Sequence, residues 1–125
     1  MSHKTHATLG QIATHTVGLP RLAPNHSSAS TDPQNPYEHF DAAALREALA
    51  IVEPTPGDEP EYSNFGFQLL GHILEAAARR PYAELVRNEV LTPVGCTSAR
   101  CGDTEPGDQR VPGYVGTQPT RGPSR

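Results

Sequence analysis

The sequence predicts an α-rich single domain in which three helices are joined by long coil segments. Apolar residues recur at helical spacing in residues 41–52, 65–78 and 81–91, which is the pattern of helices with one buried face. Gly and Pro supply 24 of the 125 residues, about 19% against about 12% in average proteins. Leu, Ile, Val and Phe supply only 23, about 18%, which is below the roughly 20% at which a packed core becomes doubtful, although the net charge is not high. Weak tertiary packing is therefore expected of the isolated chain.

The helix at 41–52 has signals at both ends. Asp41 is a suitable N-cap, because its carboxylate can accept hydrogen bonds from the first N–H groups of a helix. Pro54 follows the last turn and stops the helix. The apolar stripe along this helix consists of Ala44, Leu45, Ala48, Leu49 and Val52.

The helix at 65–78 has the widest apolar face in the chain, so it is predicted to lie against the core. Gly66 and Gly71 each lower its helix propensity by up to about 1 kcal/mol, which predicts that close packing requires them. The apolar face is formed by Phe65, Leu69, Leu70, Ile73, Leu74 and Ala77.

The third helix, 81–91, begins at a proline. Pro81 suits the first helical position, and because the residue before a proline is disfavoured in a helix, Pro81 also ends the preceding helix. The residues expected to face inward are Tyr82, Leu85, Val86 and Val90.

The two ends of the chain have little apolar pattern. Residues 1–36 are polar, and 25–36 are predicted to form a loop because few apolar contacts there would offset chain entropy. After residue 92, 11 of the 33 residues are Gly or Pro, which predicts coil with at most a short strand near 111–115. The expected organisation is a structured unit over 1–99 and a coil tail over 100–125.

The composition argues against several functional classes. The net charge is −4, with 10 basic against 14 acidic residues, so nucleic acid is not an expected partner. No apolar run approaches the roughly 20 residues of a membrane span. The first ten residues contain no apolar stretch, so no signal peptide is visible. Localisation is left open, although this chain by itself reads as cytoplasmic.

None of the clusters of ligand-type side chains predicts a metal or cofactor site. His3 and His6 lie in a polar terminal segment that is read as solvated, and His72 is expected to have a packing or surface role. Cys96 and Cys101 lack further zinc ligands and are read as free thiols. An acidic, proline-interrupted segment is read as a solvated loop; its members are Glu53, Asp58, Glu59 and Glu61.

The sequence contains none of the familiar nucleophile or phosphate motifs. None of the seven serines lies in a Gly-x-Ser-x-Gly arrangement, and no Gly-rich phosphate loop occurs. The only lysine, Lys4, has Met1 three residues before it, so no Ser-x-x-Lys pair exists.

The strongest candidate site is Tyr62 and Asn64, at the start of the helix 65–78. A phenol held next to a cation can accept and donate a proton, and an asparagine amide can both donate to and accept from a substrate amide. The alternative is structural: Tyr62 fills the helix start, and Ser63 or Asn64 caps it. On these three residues alone, the structural interpretation is favoured.

A longer stretch, 54–96, resembles the Tyr-x-Asn region of the serine β-lactamase-related family, which includes class C β-lactamases, D-alanyl-D-alanine carboxypeptidases and related esterases. The family pattern there is Pro-Gly, a short gap, Tyr-Ser-Asn, an aromatic-rich Leu-Leu-Gly helix and then Pro-Tyr. Upstream, residues 8–20 read TLGQIATHTVGLP and are similar to the family's Thr-Leu-x-x-Leu-Leu-x-His-Thr-Ser-Gly-Leu-Pro. The two matches are in family order and cover roughly residues 7–99.

The resemblance implies an α-rich fragment of the α+β serine β-lactamase/penicillin-binding-protein fold, with much of the helical lobe in residues 1–99. It implies that Tyr62 moves a proton between nucleophile and leaving group and that Asn64 holds the substrate's amide side chain. Ser63 is not the family nucleophile, and His15 and Gly18 correspond to a structural turn. The implied partner of the full-length parent is a small-molecule or peptide substrate: a β-lactam, a D-alanyl peptide or an ester.

The sequence departs from the family at positions that matter for activity. The family's Ser-x-x-Lys and its third motif, Lys-Thr-Gly or a variant, do not occur, Val17 replaces a serine, and Cys96 replaces a methionine. We therefore expect a truncated serine hydrolase domain that is inactive alone. The alternatives are a non-catalytic helical interaction module and a gene-model fragment without independent function.

One further departure concerns the backbone. The family usually has Gly where this chain has Arg79, in the pattern Thr-Gly-x-Pro-Tyr. Helices commonly end with one residue at positive φ, and Pro81 prevents the helix from continuing. Arg79 is therefore expected to be left-handed, at a cost of roughly 1–2 kcal/mol; the alternative is that it stays helical.

Overall fold

Helices make up most of the regular structure in the part of the chain that the computed structural model describes, namely residues 6–26, 37, 40–55, 59–101 and 114–119. Helix α1 spans Leu9–Ala13, α2 spans Ala42–Ile51, α3 spans Asn64–Ala78, and α4 spans Tyr82–Leu85 and continues as a π-helix over Val86–Leu91. Strands β1 (Tyr114–Val115) and β2 (Gln118–Pro119) pair antiparallel, with Tyr114 opposite Pro119. None of these helices is long and apolar enough to cross a membrane.

Helix α2 confirms the predicted helix at 41–52 and its cap. The Asp41 carboxylate accepts hydrogen bonds from the N–H groups of Ala43 and Ala44, both at 2.9 Å. The N–H groups of Ala44 and Ala43, in that order, hold the pKa of the Asp41 carboxyl below its ordinary value of 3.8. Because the pKa is lower in the folded state, the ionised cap contributes its full stabilisation of the fold above pH 3.8. This stabilisation is lost as the pH falls through the pKa of the folded state.

Helix α3 confirms the predicted helix at 65–78, with one residue more at its start. Phe65 is fully buried, whereas Leu74 is 39% exposed, so the apolar face turns outward in its last turns. Close packing at Gly66 is confirmed, because a Cβ there would lie 3.3 Å from the Ser63 hydroxyl. The same expectation for Gly71 is wrong, since no described atom would lie within 4 Å of its Cβ.

The third predicted helix, 81–91, differs from the prediction in two ways. Pro81 is the N-cap, with extended ψ of 144°, and does not occupy the first helical position. From Val86 onward the helix is π-helical, and the Thr92 N–H donates to the Arg87 carbonyl five residues back. Tyr82 and Val90 are 43% and 54% exposed, so their predicted inward orientation is wrong, whereas Leu85 and Val86 are half-buried.

The segment before residue 27, read from its polarity as lacking pattern, forms α1 and much of the core. Thr8 and Gln11 make a capping box: the Thr8 side chain accepts from the Gln11 N–H at 3.1 Å, and the Gln11 carboxamide oxygen accepts from the Thr8 N–H at 2.9 Å. This reciprocal pair satisfies N–H groups at the start of α1.

A small core joins α1, α2 and α3 through the coil that follows α1. Its buried apolar residues are Ile12, Val17, Leu19, Ala23, Leu45, Ala48 and Phe65. Four of these seven precede residue 24, so the N-terminal segment supplies more of the described core than either longer helix. Phe40, Val52, Leu69, Leu70 and Ile73 pack around it, partly buried.

The predictions for the loops and tail are only partly covered by the described residues. The short strand expected near 111–115 is confirmed at Tyr114–Val115, whereas residues 111–113 lie outside the described part. The loop expected at 25–36 lies outside it from residue 27 to 36, as does most of the 100–125 tail. Cys96 and Cys101 are free and half-buried.

Helix α3 ends with the strained residue that the sequence predicted. Arg79 has φ 55° and ψ 39°, in the left-handed region, and its N–H donates to the Glu75 carbonyl. The Arg80 N–H reaches the same carbonyl at 3.4 Å. The turn therefore satisfies a carbonyl at the end of the helix while placing a Cβ in a conformation that favours glycine.

Arg79→Gly should stabilise the chain by about 1 kcal/mol, because glycine adopts this conformation without the Cβ clash. The measurement is the urea midpoint followed by far-UV circular dichroism. Arg80→Gly is the matched control: Arg80 does not have positive φ, so glycine there only adds freedom to the unfolded chain and should lower the midpoint. A lower midpoint for Arg79→Gly would contradict the prediction.

Candidate active site at the start of helix α3

The predicted site residues Tyr62 and Asn64 lie where the chain enters α3, and hydrogen bonds to the N-terminal segment fix this entrance. The Glu61 N–H donates to the His15 carbonyl at 3.1 Å, and the Ser63 N–H donates to His15 Nδ1 at 3.2 Å. The two bonds lie on either side of Tyr62. They hold its backbone against the turn that follows α1.

The first N–H groups of α3 have partners that do not come from the helix itself. The Arg21 carbonyl accepts from the N–H groups of Asn64 and Phe65 at 3.0 and 3.3 Å. The Ser63 hydroxyl accepts from the Gly66 N–H at 2.8 Å and donates to the Pro20 carbonyl at 2.7 Å. Ser63 is 3% exposed, so it is a buried cap. The structural role weighed for Ser63 is confirmed.

Tyr62 is 53% exposed and lies in a cluster of rings beside a cation. Its ring centroid is 4.7 Å from that of His15 and 6.3 Å from that of Phe67. The Arg21 guanidinium carbon lies 5.8 Å from the centre of the Tyr62 ring, within the range of a cation–π contact. The Tyr62 ring is thus accessible to solvent, with a guanidinium over its face.

The Asn64 side chain contacts Tyr37 and lines a groove. Its side-chain Nδ2 donates to the Tyr37 hydroxyl at 3.0 Å, and the Tyr37 ring lies 5.0 Å from that of His26. Asn64 also lines an open groove of about 560 Å³ along one side of α3. The other residues along the groove are Tyr37, Phe67, Gln68, Gly71, His72, Glu75 and Tyr82.

Phe67 lies between the ring cluster around Tyr62 and the groove beside Asn64. It lines the groove beside Asn64, and its ring centroid is 4.7 Å from that of His15 at an interplanar angle of 74°. Tyr62 therefore lies at one end of a short aromatic cluster and the Asn64 groove at the other.

Several residues of this site were not predicted as members. Arg21 and Tyr37 had no recognised signal in the sequence, because single polar residues in loops carry no periodicity. His15 was assigned only to a turn through the resemblance, yet its imidazole contacts the site. These residues reach Tyr62 or Asn64 through contacts between distant parts of the chain, which local sequence does not encode.

The other clusters weighed in the sequence do not assemble in the described residues. His72 Nδ1 lies 3.6 Å from a Glu75 carboxylate oxygen on the exposed side of α3. Within the described ranges no three His, Cys, Asp or Glu residues are grouped as metal ligands. His3 and Asp58 lie outside those ranges, and the remaining acids of the predicted loop, Glu53, Glu59 and Glu61, are exposed.

The family of the chain follows from its match to known sequences. Residues 2–124 match the sequence model of the Beta-lactamase family. The chain belongs to this family. It is 32% identical over 96 residues to the D-alanyl-D-alanine-carboxypeptidase/endopeptidase AmpH of Escherichia coli, a match that covers 73% of this chain and 23% of that protein.

A more distant relative is Protein flp of Staphylococcus aureus, 29% identical over 90 residues, or 72% of this chain and 17% of that protein. The chain thus matches less than a quarter of the length of these curated relatives. Membership of the β-lactamase family makes the chain a serine hydrolase-related, penicillin-binding-protein-like domain, and its helix-rich structure agrees with the predicted α-rich part of that fold.

Ser63→Ala should destabilise the chain by about 1–3 kcal/mol, because it removes the α3 cap and leaves the Pro20 carbonyl without its donor. The measurement is again the urea midpoint. Ser98→Ala, at an exposed position after the π-helix, is the matched control and should leave the midpoint within about 0.5 kcal/mol. Equal midpoints for the two variants would contradict the capping role of Ser63.

Proposed function

We propose that this chain carries the Tyr-x-Asn half of a serine acyl-transfer site. Tyr62 moves a proton between the serine nucleophile and the leaving group, and Asn64 holds the amide of the substrate. The observation that supports this most directly is that an exposed phenol beside Arg21 and an amide facing a groove lie one residue to either side of a rigid buried cap.

The proposed substrates are small molecules or peptides with an acyl carbonyl: β-lactams, D-alanyl peptides or esters. The similarity to a D-alanyl-D-alanine carboxypeptidase supports the peptide class. The reaction is attack of a serine oxygen on the carbonyl, loss of the amine or alcohol with the proton delivered by Tyr62, and hydrolysis of the serine ester. A donor or acceptor held at Asn64 would orient the substrate in the groove.

The serine and lysine that this chemistry needs are not supplied by this sequence. It contains no Ser-x-x-Lys pair, and the hydroxyl of Ser63 is engaged in both directions by Pro20 and Gly66. We therefore propose that the 125-residue chain does not perform acyl transfer by itself. The division into a partial domain at 1–99 and a coil tail at 100–125 is part of the same proposal.

Incubation of the chain with a fluorescent penicillin should give no covalent adduct, because no activated serine is present to open the lactam. Intact-protein mass spectrometry checks this, with AmpH under the same conditions as a control for acylation. A stoichiometric adduct on any serine would contradict the inactivity, and an adduct on Ser63 would overturn the assignment of the motif.

The roles of Tyr62 and Asn64 are testable in a chimera of E. coli AmpH whose matched segment is replaced by residues 7–99 of this chain. Tyr62→Phe and Asn64→Ala should each lower release of D-alanine from a D-alanyl-D-alanine peptide by at least about 100-fold, as expected for a lost proton-transfer or orienting group. Ser98→Ala, at an exposed position that does not line the groove, is the control and should retain activity. Unchanged activity in Tyr62→Phe would refute the role of Tyr62.

A second candidate function is a non-catalytic interaction module. An apolar groove of about 330 Å³ lies between α3 and the α4/π-helical segment, and Leu74, Tyr82 and Val90 on it are 39–54% exposed. Exposed apolar surface of this kind is typical of protein contacts. If the chain is an interaction module, it should be stable and bind a partner, and Tyr62→Phe should leave the activity of the chimera unchanged. The chimera therefore distinguishes the interaction module from the acyl-transfer site.

A further inference from the structure

His15 has a backbone conformation that its side chain does not favour. Its φ is 60°, and only Arg79 shares positive φ among the described non-glycine residues. The turn is fixed by hydrogen bonds from the N–H groups of His15 and Thr16 to the carbonyls of Ile12 and Gln11, at 3.2 and 2.9 Å. Strain of this kind persists where surrounding contacts over-determine the conformation.

Two further hydrogen bonds join His15 to the residues on either side of Tyr62. The His15 carbonyl accepts from the N–H of Glu61, and His15 Nδ1 accepts from the N–H of Ser63, 48 residues along the chain. One histidine therefore binds the backbone on both sides of Tyr62. Few side chains can do this, because the bond to Ser63 needs an acceptor that projects beyond the turn.

The imidazole ring also packs against the side chain that it positions. Its centroid lies 4.7 Å from those of both Tyr62 and Phe67, tilted against the first and edge-on to the second. Phe67 lies one helical turn beyond Ser63, and its ring packs edge-on against the His15 imidazole. The Tyr62 ring thus contacts both the His15 imidazole and the Arg21 guanidinium.

We propose that His15 is a positioning residue for Tyr62, acting through the neutral imidazole with its proton on Nε2. This inference deepens the proposed function and rests on it for the catalytic role of Tyr62. Nδ1 must be unprotonated to accept from the Ser63 N–H. When the imidazole gains a second proton, Nδ1 becomes a donor that faces another donor, and the bond to Ser63 is lost.

The charged and titratable groups at this turn are few. Arg21 and Tyr62 lie on one side, and Glu61 precedes Tyr62 with its backbone bound to His15. From α3 the ring contact is the uncharged Phe67.

The test is nuclear magnetic resonance of the full chain, labelled with ¹⁵N, across the titration of His15. We expect the imidazole to be protonated at Nε2 and bare at Nδ1 at neutral pH, and the Ser63 amide and Tyr62 ring signals to shift together as His15 titrates. In His15→Phe, which keeps a ring and removes the acceptor, these two pH-dependent shifts should disappear and Ser63 amide exchange should accelerate about tenfold.

His72→Phe is the matched control, because His72 lies on α3 away from Tyr62 and should leave both shifts in place. A proton on Nδ1 at neutral pH would overturn the proposal, as would Tyr62 and Ser63 signals that ignore the titration of His15. These two readouts use the unaltered chain, so they decide the matter even if His15→Phe does not fold. Loss of Tyr62 function in the AmpH chimera is a separate measurement: an active Tyr62→Phe chimera would refute the proposed function without moving the resonances.

Discussion

The hydroxyl of Ser63 links the two halves of the described structure. It accepts from Gly66 within α3 and donates to Pro20 in the coil after α1, so one buried group caps a helix and fastens it to a distant segment. A hydroxyl that both donates and accepts in a buried site has little hydrogen-bonding capacity unused. This explains why Gly66 has no side chain: a Cβ there would press on Ser63 and lie 3.7 Å from Ile12.

The core and the candidate site depend on the same junction. Phe65, fully buried, follows Ser63 by two residues and brings α3 onto Ile12 and the coil after it. The Arg21 carbonyl binds two N–H groups of α3 while its guanidinium lies by Tyr62. The positions of Tyr62 and Asn64 therefore follow from the packing of α3, together with the hydrogen bonds of Glu61 and Ser63 to His15. The core is small, but the candidate site lies at the N-terminal cap of a helix that the core holds in place, so the same contacts position both.

Some of this arrangement could be predicted from the sequence, and the reasons differ by element. Helices α2 and α3 were predictable because periodic apolar residues, Asp41 as a cap and a strained Arg79 are all local signals. Helix α1 was missed because five residues are too few to show a period, although Thr8 and Gln11 form a capping box. The π-helix was missed because an apolar pattern does not distinguish a helix with wider turns from an α-helix. The contacts of His15 and Arg21 with Tyr62 span 40 or more residues, and no local pattern encodes them.

The geometry of Ser63 bears on which group could be a nucleophile. A catalytic serine must lose its proton to a nearby base and turn its oxygen toward a carbonyl. The proton of Ser63 is directed at the Pro20 carbonyl, which is not a base, and the nearby imidazole of His15 accepts from the Ser63 N–H and not from its hydroxyl. Turning the hydroxyl outward would also uncap α3. Ser63, between Tyr62 and Asn64, is thus held as a helix cap, and under the proposed function the nucleophile would be a serine other than Ser63.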